Sequence, residues 1–83
     1  MKISVTLFGA LRHFLPAGSG FNKCEIELDA GSSLKVLLEK VPVPADKPYL
    51  VMHNDTRIAP EQYDEIEIQP ADEVILLPPL KGG

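Results

Sequence analysis

From Lys2 to Phe8 the chain alternates, with Ile3, Val5 and Leu7 on one side and Lys2, Ser4 and Thr6 on the other. A two-residue period of this kind predicts a half-buried strand. Gly9 to Pro16 suits a short helical turn that carries Leu11 and Phe14 or Leu15 inward, and the glycine-rich stretch 17–20 predicts a loop. Alternation resumes at Cys24, Ile26 and Leu28 against Lys23, Glu25, Glu27 and Asp29, so a second strand follows and pairs antiparallel with the first.

The period then changes. Leu34, Leu37, Leu38 and Val41 recur at helical spacing behind Ser32 and Ser33, either of which can cap the first turn. Pro42 ends that helix, because the residue before a proline is pushed out of the helical region, and Pro44 and Pro48 keep the next stretch extended. Tyr49 to His53 reads as a third strand, Asn54-Asp55 as a tight turn and Thr56 to Ile58 as a short fourth strand. Residues 59–69 are polar and leave their structure open, although Ile66 and Ile68 can dock on a core. Val74 to Leu77 is an unbroken apolar run, which predicts a central strand with both faces covered or with one face reserved for a partner. The order strand, strand, helix, then three strands, with no second long helix, predicts an α+β fold. It is the β-grasp (ubiquitin-like) pattern, a mixed sheet of four to five strands packed on one main helix.

At 83 residues, 45% of them hydrophobic, the chain has material for one small core, and this argues against a deep enzyme pocket. The expected layout is a single domain over 1–77 and a flexible C-terminal tail over 78–83. One cysteine permits no internal disulfide, which fits a reducing, cytoplasmic compartment. Neither a membrane span nor a secretory leader is legible. Net charge is −4, but its placement says more. Residues 1–24 carry Lys2, Arg12 and Lys23 without an acid, whereas 61–73 carry Glu61, Asp64, Glu65, Glu67, Asp72 and Glu73 without a base. Eight scattered bases among twelve acids form no stripe for a phosphate backbone, which argues against nucleic acid. The acidic run reads as a solvated face or as a surface that steers a basic partner.

The informative stretch is the ending, Pro78-Pro79-Leu80-Lys81-Gly82-Gly83. Prolines remove backbone donors and stop the sheet ladder, so these residues project. Two glycines can thread a channel too narrow for Cβ atoms, and their freedom in φ suits such a passage. The group they deliver is a carboxylate, ionised at neutral pH and a poor electrophile. Conversion to an acyl-adenylate with ATP makes the carbonyl open to a sulfur nucleophile, and the product is a thiocarboxylate at Gly83. Sulfur stays nucleophilic as an anion near neutral pH.

Several segments carry a family resemblance. Thr6-Leu7-Phe8-Gly9-Ala10-Leu11-Arg12, the helix start Ser33-Leu34 through Leu37-Leu38, Val51 to Asn54, and Asp72-Glu73-Val74 followed by Leu77-Pro78-Pro79-Leu80-Lys81-Gly82-Gly83 span most of the chain. Together they resemble the MoaD/ThiS family of ubiquitin-like sulfur carriers, and within it the molybdopterin branch. Ala71 stands where that family commonly has glycine, and the helix is shorter than that branch's. The resemblance implies that Gly83 is adenylated by a ubiquitin-activating-like adenylyltransferase of the MoeB/ThiF type, which uses ATP. It further implies that Gly83 then receives sulfur and enters the large, MoaE-type subunit of molybdopterin synthase, where this chain is the noncatalytic small subunit. Pro79, Leu80, Lys81 and Gly82 become the tail residues that a partner grips.

An apolar docking face is also implied. Phe8 is out of phase with Ile3, Val5 and Leu7, and either Val74 with Leu76 or Ile75 with Leu77 must point away from the helix. The candidate partner-binding face is Phe8 with Ile75 and Leu77, unless the loop after the first strand covers it. Cys24 alternates with core residues and reads as structural. His13 and His53 lack a third ligand at zinc spacing, so no metal and no bound cofactor are expected. Other readings remain open: a carrier for the thiamine thiazole or for a tungsten-pterin, a protein modifier joined to lysines through Gly83, or a plain binding module indifferent to Gly83.

Overall fold

Alternating residues at the start of the chain form strand β1, Lys2–Leu7, and those after the glycine-rich loop form β2, Lys23–Glu27. The computed structural model describes residues 1–16, 18–44 and 46–79. Between β1 and β2 lies a 3₁₀ turn, Gly9–Phe14, that buries Leu11 and leaves Phe14 and Leu15 half-buried. Helix α1, Leu34–Lys40, follows, then β3 (Leu50–His53), β4 (Thr56–Ile58), a second 3₁₀ turn (Pro60–Glu65) and β5 (Glu73–Leu77). The sheet order is β2-β1-β5-β3-β4. Its pairs are antiparallel except β1 with β5, which run parallel. Among the described residues, the five strands and one helix make the expected β-grasp.

Helix α1 begins where Ser33 accepts a hydrogen bond from the Val36 amide at 3.3 Å and ends at Val41, whose extended backbone (φ −70°, ψ 139°) is the conformation a following proline demands. Leu34 and Leu37 from the helix are wholly buried against Ile3, Val5, Leu7, Val51, Val74 and Leu76 from the inner sheet face. Cys24, Ile26, Leu28, Val41, Ile58 and Ile68 close the rim of this core. Burial of each large aliphatic here is worth about 1.5 to 3 kcal/mol.

The segment left open by its sequence becomes the second 3₁₀ turn. Pro60 opens it, and the Ala59 amide donates to Gln62 Oε1 at 3.1 Å. No residue of that turn is buried, so it shows no apolar stripe to read. The chain beyond it is stitched to the helix start, with Leu34 N donating to Ile66 O at 2.8 Å and Ile68 N to Ser32 O at 2.9 Å. Asn54 and Asp55 take positive φ (49° and 70°), as a two-residue hairpin between right-twisted strands requires. Ala71 does not take a positive φ, and its turn closes instead through Asp72 N donating to Gln69 O at 3.0 Å.

Candidate functional site: the tail root and the open sheet face

β5 is the middle strand, bonded on one side to β1 and on the other to β3. Its last residue, Leu77, leads directly to Pro78 and Pro79, so the tail starts from a strand bonded on both sides. Gly9, at φ +59°, lies against this start: a Cβ there would sit 2.7 Å from Pro78 Cγ. The bend after β1 therefore fits closely against the first tail proline because residue 9 has no side chain. Pro79 is exposed. Leu80, Lys81, Gly82 and Gly83 lie outside the described residues.

Strand register sorts the face that α1 leaves open into rows. The row nearest the tail root places Leu50 opposite Leu77. Phe8 extends it, since β1 and β5 pair through Leu7 and Leu76 and the Phe8 amide donates to Leu76 O at 3.1 Å. The second row runs Lys23, Thr6, Ile75, Met52, Arg57 across all five strands. Glu25, Ser4 and Glu73 make the third, farther from the tail. Of the two alternatives for β5, Val74 and Leu76 face the core at 0% exposure, while Ile75 and Leu77 face out and are half-buried. Phe8 is 39% exposed. The structure thus brings Phe8, Ile75 and Leu77 together beside the tail root.

Leu50 and Met52 belong to the same apolar area and were not singled out from sequence. Their alternation with Val51 was the available signal, but the partner strand was needed to show which neighbours they join. A second omission is a polar cluster at the opposite end of β5. His53 Nε2 lies 2.7 Å from Asp72 Oδ2, Asn54 Nδ2 donates to Asp72 Oδ1 at 2.9 Å, and the Gln69 amide donates to Asp72 Oδ2 at 2.8 Å. The Glu73 amide in turn donates to Asn54 Oδ1 at 2.9 Å. Burial pushes the Asp72 carboxyl up, but the hydrogen bonds from His53, the Gln69 amide and Asn54, together with the nearby His53 charge, outweigh it and hold the carboxyl below its usual value. This cluster ties the β3-β4 hairpin to the entrance of β5 and leaves the tail end of the sheet free.

Cys24 is buried and unpaired, and burial raises its thiol above the ordinary value, which disfavours the reactive thiolate. Among the described residues no group of three or more His, Cys, Asp or Glu side chains is placed to hold a metal ion. No helix among them is long and apolar enough to cross a membrane.

By sequence, no curated protein matches the chain. Among solved structures it is similar to the one described as "Crystal structure of SAMP1 from Haloferax volcanii", with a TM-score of 0.71, 17% identity and 100% of both chains covered. That likeness concerns the fold. Residues 5–83 match the ThiS family, from within β1 through the paired glycines. The chain belongs to the ThiS family, and is therefore a ubiquitin-like domain of the sulfur-carrier or modifier type.

Proposed function

We propose that this chain is a sulfur carrier whose deliverable group is the carboxylate of Gly83, and that it serves molybdopterin synthesis as the noncatalytic small subunit of the synthase. The observation that carries the reading is the exit of the central strand, with its root held at Gly9 and Pro78, into Pro-Pro-Leu-Lys-Gly-Gly beside an outward apolar area. Six residues from Pro78 reach at most ~20 Å, at about 3.3 Å each. That is enough to put Gly83 in another protein's active site while the open face rests on its surface.

In the first step a carboxylate oxygen of Gly83 attacks the α-phosphorus of ATP on an activating adenylyltransferase. A carbon-oxygen-phosphorus link forms and pyrophosphate leaves. Hydrosulfide then adds to the acyl carbon, AMP leaves with the C–O electron pair, and loss of a proton yields the thiocarboxylate. ATP is the activating enzyme's substrate, and this chain holds no cofactor of its own. In the synthase, Pro79, Leu80, Lys81 and Gly82 line the large subunit's channel while Phe8, Ile75 and Leu77 dock outside it. The molybdopterin assignment, rather than a thiazole or tungsten-pterin one, is supported by the likeness of the Leu-Phe-Gly segment and of the Pro-Pro-x-x-Gly-Gly ending to that branch.

The test is release of pyrophosphate from ATP by the activating enzyme of the same genome. Release that depends on this chain and falls to background when Gly83 is removed is expected. Release indifferent to Gly83 contradicts the carrier reading. Supplying the sulfurated chain to a MoaE-type subunit with its pterin precursor, and in parallel to a thiazole synthase, then separates the acceptors.

A further inference from the structure

The open face has charges at its two edges whose arrangement the carrier reading does not explain. At the β2 edge, Arg12 from the first 3₁₀ turn lies with its guanidinium carbon 4.2 Å from the centroid of the Phe21 ring. Phe21 is 77% exposed, the most exposed large apolar side chain described. Its position is not arbitrary. The β1-β2 register pairs Thr6 with Lys23, and the Leu7 amide donates to Asn22 O at 2.7 Å, so Phe21 and Asn22 bend away from β2 beside the end of β1. Phe21 therefore adds an exposed aromatic ring at the β2 edge, beside the end of β1 from which the row of Phe8, Leu77 and Leu50 starts, and widens that apolar area.

Bases bracket that patch. Lys23 ends the second row on the β2 edge and Arg57 ends it on the β4 edge, while the acids Glu25 and Glu73 begin only in the third row. Among the described residues, Arg12, Lys23 and Arg57 form no ion pair. No Lys or Arg side chain among the described residues is paired, so what singles these three out is their place: the second row of the open face ends in a base on each edge, and the register puts Glu25 and Glu73 one row farther from the tail root. Arg12 is further held by its stack on Phe21, an interaction that orders a guanidinium without neutralising it.

We propose that Arg12, Lys23 and Arg57 form a basic rim around this face, and that its partner is the adenylating enzyme, presenting an apolar groove edged by carboxylates. The inference rests on the carrier reading above and names the docking chemistry of that same surface. The tail's limit of ~20 Å requires whichever protein takes Gly83 to cover ground next to the tail root. The rim surrounds that ground. Its charges on opposite edges, combined with the off-centre tail, give the complex one orientation, and attraction between the two rims raises the rate of productive encounter.

The experiment measures association of the full chain with the adenylating enzyme by stopped flow at low and high salt, alongside adenylation kinetics. The variants are Arg12→Glu with Arg57→Glu, Phe21→Ala, and Lys40→Glu on α1 as a remote control, each checked for an unchanged thermal transition. The double reversal is expected to slow association ~10-fold or more at low salt and to flatten its salt dependence, with KM raised and kcat retained. Phe21→Ala is expected to speed dissociation ~5-fold or more, as loss of an interfacial aromatic anchor does. Lys40→Glu should match the parent chain. Equal association rates for the parent and the double reversal overturn the rim while leaving the carrier reading intact. Normal adenylation with impaired sulfur transfer to the acceptor subunit assigns the rim elsewhere and also overturns the proposal. A parent chain that is neither bound nor adenylated contradicts the carrier reading itself, and the rim falls with it.

Discussion

Asp72 accepts hydrogen bonds from three partners on two sides of a turn, and its side chain is only 10% exposed. Replacing it with Asn keeps the shape but removes the charge and one acceptor oxygen, leaving donors from His53 or Gln69 poorly matched. A loss of about 1 to 3 kcal/mol at neutral pH is expected in urea unfolding. Its pH dependence has a definite sign. The folded-state carboxyl is held below the usual 3.8, so the stabilisation is complete above that value and is lost as pH falls through the folded-state pKa. Parent and Asp72→Asn should therefore converge in stability under strong acid, and a gap that stays constant from neutral pH into that range contradicts the account. None of this pairing was legible beforehand, because His53 and Asp72 are 19 residues apart and meet only once β3 lies beside β5.

Helix α1 spans just seven residues, too short to persist without packing. Its stability comes from Leu34 and Leu37, both at 0% exposure. Leu37→Ala should cost about 2 to 5 kcal/mol, Ser33→Ala about 1 kcal/mol through loss of the cap, and Lys35→Ala almost nothing, all read from denaturant midpoints. A Leu37→Ala cost near zero contradicts the packing described. Here the sequence was easy to read. A helical stripe behind serines and before Pro42 locates α1, and strict alternation locates β1 and β2, because in each case the periodicity is imposed by one buried face. The second 3₁₀ turn was opaque for the converse reason: it buries none of its residues, and its bounds come from Pro60 and the Ala59 to Gln62 hydrogen bond. Strand order was opaque as well. Periodicity shows that Leu50 and Met52 share a face of β3, but only the pairing with β5 sets them beside Leu77 and Ile75.

Taken together, the domain divides its two ends by task. At one end of β5 the His53, Asn54 and Asp72 cluster clamps the hairpin. At the other end, Gly9 and Pro78 fix the start of the tail beside an apolar face with basic edges. Removing bulk from that face should impair docking without unfolding the domain. Phe8→Ala is expected to lower the efficiency of both activation and sulfur transfer about 5-fold to 100-fold, the range for an aromatic anchor, with an unchanged thermal transition. Full activity of Phe8→Ala in both reactions removes Phe8 from the docking surface. The family was the most legible feature, because the first-strand segment and the Pro-Pro-Leu-Lys-Gly-Gly ending both fall within the residues 5–83 that match it. The acceptor of the proposed carrier is the least legible, because residues on another chain would determine it.

The deciding measurement is the intact mass of the purified chain after incubation with ATP, the adenylating enzyme of its own genome and hydrosulfide, beside a variant lacking Gly83. The account predicts exchange of one oxygen for one sulfur in the full chain and no change in the shortened one. A full chain that keeps its original mass while a known carrier is converted under the same conditions, with that carrier's own enzyme, contradicts it.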